Sequence, residues 1–121
     1  MKNAREIQAV DRTLEILDSP EKWTKGKNAR NKYGEPVPTF HNEAICHCLE
    51  GAIIKALSEQ KLTDTKWRNS YIKITHALCN VLDLKFDIGH QDEHIGFNDH
   101  RKTTYTMVIN ALKKAKEYLS Q

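Results

Sequence analysis

The chain has 121 residues, 39% apolar and 29% charged, with nineteen Lys and Arg against sixteen Asp and Glu. That mix excludes a disordered polymer, and a formal net charge of +3 is too weak for a dedicated duplex-binding domain, so duplex nucleic acid is not an expected partner. No apolar run approaches the roughly 20 residues that span a bilayer, and the N-terminal stretch alternates polar with apolar residues, unlike a signal peptide.

Three cysteines, Cys46, Cys48 and Cys79, form no C-x-x-C pair and argue against a disulfide framework. The expected setting is the cytoplasm, and the expected organisation is a single domain over residues 1–121. In chain order, Ile7, Val10, Leu14 and Leu17 recur at helical spacing and predict a first helix. It ends before Asp18-Ser19-Pro20, where Ser19 can cap and Pro20 can open a short turn carrying Trp23, with Gly26 as a left-handed exit. The stretch from Glu21 to Phe40 then holds five cations and no acid between Glu21 and Glu35.

A second helix is predicted from about Asn42 to Gln60, with Phe40 as a staple onto its first turns. Gly51 sits inside it without a break, which points to close approach of another backbone, the loop bearing Trp23 or the start of the fourth helix, with a ligand pressed against the bare main chain as the alternative. A third helix is predicted from Thr63 to Leu82 on Trp67, Tyr71, Ile74, Leu78 and Val81. A fourth runs from about Asp99 to the end on Tyr105, Val108, Leu112, Ala115 and Leu119. Between these two lies an acidic connection, Asp83 to Asp99, with five acids and one Lys. No β-hairpin signal is visible, so the expected fold is all-α, a small bundle of about four main helices with two long loops.

Chemistry can be placed at four points. Lys22, Lys25, Lys27, Arg30 and Lys32, interleaved with Trp23 and Tyr33, could grip a phosphate beside a stacking platform, although no P-loop motif is present. In the alternative reading the aromatic residues anchor the loop and its lysines face water, or the basic loop pairs with the acidic one. Asn98 and Asp99 precede an apolar periodic run, where such residues commonly cap a helix, leaving one free to meet Arg30 or a ligand. His100, Arg101 and Lys102 would then oppose the helix dipole, which points to attraction to something acidic, either the preceding loop or a bound anion.

Asp87, His90, Glu93 and His94 offer metal-ligand types, with His90 and His94 one turn apart, but the metalloprotease Glu after the first His is replaced by Gln91. Cys46 and Cys48, two apart on a predicted helix, would face different ways, with Cys48 in the core and Cys46 buried against another helix. His76 reads as a satisfied, partly buried histidine. No cofactor motif or metal site is expected.

Trp23, Gly26, Ala29, Arg30 and Gly34, then Cys48-x-x-Gly51-Ala52, then Asn98-Asp99, together resemble a family of small bacterial and phage-borne domains of unknown function. The resemblance spans roughly Leu14 to Leu119 and implies that these motifs work as a group; it implies no reaction. The phage setting of similar domains implies interference with a host system by sequestering or blocking a component. Residues and resemblance together give one leading expectation: a non-catalytic binding module taking a nucleotide-like anion or an acidic protein surface through Trp23, Lys25, Lys27, Arg30, Asn98, Asp99 and His100. The contrasting expectations are a metal-assisted hydrolase built on the His90/His94 loop, and a structural or homo-oligomerising protein.

Overall fold

The computed structural model describes residues 2–84 and 93–121. Helix α1 spans Ala4–Ile16, α2 Leu49–Ser58, α3 Asp64–Val81, α4 Glu93–Asp99 and α5 Tyr105–Ser120, with a 3-10 turn at Pro20–Lys22. Three two-residue strands, β1 (Ala29–Arg30), β2 (Pro36–Val37) and β3 (Cys46–His47), form an antiparallel sheet in the order β2-β1-β3. The fold is therefore mixed α/β rather than all-α. Strands this short carry no alternation for a sequence pattern to show.

Helices α1, α2, α3 and α5 pack around one apolar cluster that includes Val10, Leu17, Leu49, Ile53, Leu57, Ile74, Leu78 and Leu112, all fully buried. Each fully buried aliphatic side chain of this kind contributes about 1.5–3 kcal/mol, which is what holds the amphipathic helices together. Thr63 caps α3 by accepting from the Lys66 amide at 3.3 Å, and Thr104 caps α5 by accepting from the Met107 amide at 3.2 Å. Asn3, in a left-handed conformation ahead of α1, donates its amide to the Leu119 carbonyl and ties the two ends of the chain together.

Two predicted boundaries are corrected. Helix α2 begins at Leu49 rather than near Asn42, because the residues ahead of it turn, pair as β3, and end on Cys48 as the cap. Phe40 is 59% exposed and cannot staple anything. The last helix begins at Tyr105, not Asp99: Asn98 and Asp99 close the separate short helix α4, and Thr104 takes the capping role. His100, Arg101 and Lys102 consequently lie in the connection before α5 and do not oppose its dipole. Cys46 belongs to a strand and is half-buried, and His76 is exposed with its ring edge-on to Tyr118.

Among the described residues, no helix is long and apolar enough to cross a membrane. Asp87 and His90 lie outside the described residues.

Candidate functional site

The site begins at the 3-10 turn. Pro20 fixes the turn, and Trp23 leaves it extended, where Thr24 donates its amide to the His47 carbonyl at 3.0 Å beside β3. The indole N–H of Trp23 then reaches across to Asn98 Oδ1 at 2.6 Å, and its ring packs tilted against Tyr105 with centroids 6.5 Å apart.

Asn98 is 1% exposed, and both ends of its amide are engaged. Oδ1 also accepts from the Leu49 amide at 3.1 Å, satisfying the first orphan N–H of α2. Nδ2 donates to the Thr24 carbonyl at 3.2 Å and to Asp99 Oδ1 at 2.9 Å. One side chain thus joins the loop, α2 and α4.

Two glycines let the backbones close on this point. Gly26, at φ +82°, donates its amide to Asp99 Oδ1 at 2.9 Å, in a conformation that suits glycine. A Cβ on Gly51 would stand 2.2 Å from the Asn28 carbonyl oxygen. The backbone approaching Gly51 is therefore the loop that carries Trp23. Asn28 uses the same carbonyl to accept from the Cys48 amide at 3.1 Å. Cys48 Sγ in turn accepts from the Gly51 amide at 3.2 Å and lies 3.6 Å from Asn28 Oδ1 as a donor. Burial pushes the Cys48 thiol up to about 11, so it works as a neutral cap rather than a nucleophile.

The other predicted residues divide by what their polar groups meet. Arg30 spends its guanidinium on its own loop: Nε on Thr24 Oγ1 at 3.0 Å, one terminal nitrogen on the Gly34 carbonyl at 3.0 Å, the other on the Lys25 carbonyl at 3.1 Å. Lys25 donates to the His100 carbonyl at 2.7 Å while lying 5.4 Å over the Trp23 ring. Lys27, His100, Arg101 and Lys102 are exposed, and among the described residues no ion pair engages the three cations Lys27, Arg101 and Lys102.

The loop stretch without acids and the start of the acid-free stretch between Asp99 and Glu117 therefore meet where Lys25 and Gly26 bond His100 and Asp99. Asp99, a carboxylate at this seam, has Oδ1 occupied by two N–H donors. All seven residues singled out from the sequence lie at or beside this junction.

A family model described as a family of unknown function, DUF6197, matches residues 1–118. The chain belongs to DUF6197. Neither the curated proteins nor the solved structures gave a match. Membership in DUF6197 brings no assigned reaction, so function in this chain has to be argued from its own geometry.

A second polar cluster in the DUF6197 chain was not visible in the sequence. Glu50, in the first turn of α2, accepts from the Tyr71 hydroxyl at 2.7 and 2.9 Å and pairs with His94 Nε2 at 2.7 Å. His94 is fully buried, and no described group bonds its Nδ1. The cluster ties α4 to α2 and α3. Among the described residues, no group of three or more His, Cys, Asp and Glu is placed to hold a metal ion. Burial also raises the Cys79 thiol, so this buried thiol stays protonated too.

Proposed function

We propose that this chain is a non-catalytic binding module that recognises an anionic partner along the basic seam between the Trp23 loop and the α4–α5 connection. The observation that carries the reading is the pair of bonds Lys25 Nζ to His100 O and Gly26 N to Asp99 Oδ1. They clamp two acid-poor stretches side by side and leave Lys27, Arg101 and Lys102 exposed around the clamp. Because the indole N–H of Trp23, the Asn98 amide and all three guanidinium nitrogens of Arg30 are already engaged within the fold, these residues position the seam. The ligand is met by Lys27, His100, Arg101 and Lys102, with Lys25 and Asp99 at its centre.

Cations held on a rigid backbone lose little further entropy when an anion arrives, which favours binding over a mobile lysine cluster. Sequestering an acidic host component, the role that a phage setting implies, is one use of such a surface. A thermal-shift screen with nucleotides and with polyglutamate tests the reading. Stabilisation that disappears in Lys27→Glu/Arg101→Glu at an unchanged ligand-free melting temperature supports it. Equal stabilisation of both proteins contradicts it.

A further inference from the structure

Beside the basic seam, and sharing His100 and Lys102 with it, the molecule carries an apolar groove whose floor the anion reading does not use. One hollow of about 220 Å³ lies between the end of α3 and α5, lined by Val81, Leu82, Phe97, Met107, Ala111 and Lys114. A second, of about 430 Å³, is lined by Leu84, Phe97, His100, Lys102, Thr103 and Met107, with Glu93 at its edge. Phe97 and Met107 belong to both, so the two hollows run into one groove. Met107 is 43% exposed, high for a large apolar side chain on a packed helix.

On α5 the groove follows Met107, Asn110, Ala111 and Lys114, a single face about 10 Å long at 1.5 Å per residue. Two of its polar groups are spent locally. The Thr103 hydroxyl donates to the Phe97 carbonyl at 2.7 Å, and the Lys102 amide donates to His100 Nδ1 at 3.1 Å. The floor therefore offers apolar contact and few hydrogen-bond donors to orient a compact polar ligand, while the rim offers cations. Among the described residues, Lys102 and Lys114 stand at the groove and Arg101 and Lys113 beside them in sequence, all exposed, against the carboxylates of Glu93 in the lining and Asp83 next to it.

We propose that this groove takes an acidic amphipathic helix, its apolar stripe on Phe97 and Met107 and its carboxylates along Lys102 and Lys114. The elongated apolar floor and the charge of the rim select that occupant. This is the helix-in-groove mode, in which anchors at i, i+3, i+4 and i+7 fill one apolar channel. The proposal rests on the anionic-partner reading and names its partner class.

The test is fluorescence anisotropy of the intact protein with two labelled peptides of identical Leu and Glu composition. One carries Leu at helical spacing and the other is scrambled. The patterned peptide is expected to bind at least tenfold more tightly than the scrambled one. Met107→Gln, with its helical spectrum unchanged, should weaken the patterned peptide at least fivefold and leave the scrambled one within twofold.

Equal affinity for the two peptides overturns the groove and leaves the anionic seam standing. Failure of both peptides together with nucleotides and polyglutamate overturns both. A concentration-dependent dimer that Met107→Gln dissociates assigns the groove to a second copy of the chain and likewise overturns the proposal.

Discussion

Trp23 donates its indole N–H to Asn98 Oδ1 at 2.6 Å across seventy-five positions of chain, and the amide that receives it also caps α2 through Leu49. Removing that acceptor strands two donors, one buried and one part-buried. Each such stranded group costs about 1–3 kcal/mol. Asn98→Ala should therefore lose about 3 kcal/mol in urea unfolding followed by circular dichroism. Asn98→Asp keeps the acceptor but places a second carboxylate against Asp99 and the Thr24 carbonyl, so it should also be destabilised. Wild-type stability in either variant would show that the bond is incidental.

Gly51 gives the sharpest steric test. Its missing Cβ is the space filled by the Asn28 carbonyl, and main-chain atoms cannot swing aside as a side chain can. Gly51→Ala should cost about 3 kcal/mol, despite the better helix propensity of alanine. A stabilised variant would mean that the loop does not seat there.

Cys48 is a cap and not a reactive thiol. Cys48→Ser preserves a side chain that can accept from the Gly51 amide and should stay within about 1 kcal/mol of wild type, whereas Cys48→Ala should fall below Cys48→Ser by about 1 kcal/mol. With the thiol pushed up to about 11 and 4% exposed, it should resist a thiol reagent at pH 8 on a timescale where Cys46 is modified. Fast labelling of Cys48 in the folded protein would contradict the assignment.

These residues also show what a sequence can and cannot disclose. Helices α1 and α3 are legible because Val10, Leu14 and Leu17, and Trp67, Tyr71, Ile74 and Leu78, recur at helical spacing over several turns. The start of α2 is hidden because Ile45 continues the apolar stripe in register although it is 55% exposed, beside β3. Asn98-Asp99 looks like a cap for the last helix because the residue types are right, yet Thr104 stands nearer and wins. The meeting of the Trp23 loop with Asn98 and Asp99 over Gly51 is legible from the grouping of the motifs. That Arg30 turns inward onto Thr24, Gly34 and Lys25 is not, since an arginine in a basic loop reads the same whether its partner is a ligand or its own backbone. The Glu50–His94 pair gives no signal, because forty-four positions separate the two residues: Glu50 fills an unspecified position of Cys48-x-x-Gly51, and His94 reads from sequence as a partner of His90.

His47 links stability to pH. Its ring is 4% exposed and its Nε2 lies 3.1 Å from the Thr39 carbonyl. Burial foremost, and the Lys55 charge in addition, lower its affinity for a proton below the ordinary value of 6.5, against an opposing effect of the Thr39 bond. The unfolded chain then binds more protons than the folded one as pH falls below 6.5, so this contribution is present at neutral pH and is lost on acidification. The stability gap between wild type and His47→Gln should shrink from pH 7 to pH 5. A gap that widens would mean that the ring is held charged in the fold.

The basic seam makes the functional claim. Its exposed cations can be reversed without touching the core, so Lys27→Glu/Arg101→Glu should melt within about 2 °C of wild type, consistent with surface substitutions away from packed features. The direct measurement is calorimetric titration of both proteins with polyglutamate at one fixed, low salt concentration, since exposed charge pairs are screened as salt rises. A loss of affinity of about thirtyfold or more in the double variant is the predicted result. Unchanged affinity would contradict an anionic partner at this seam.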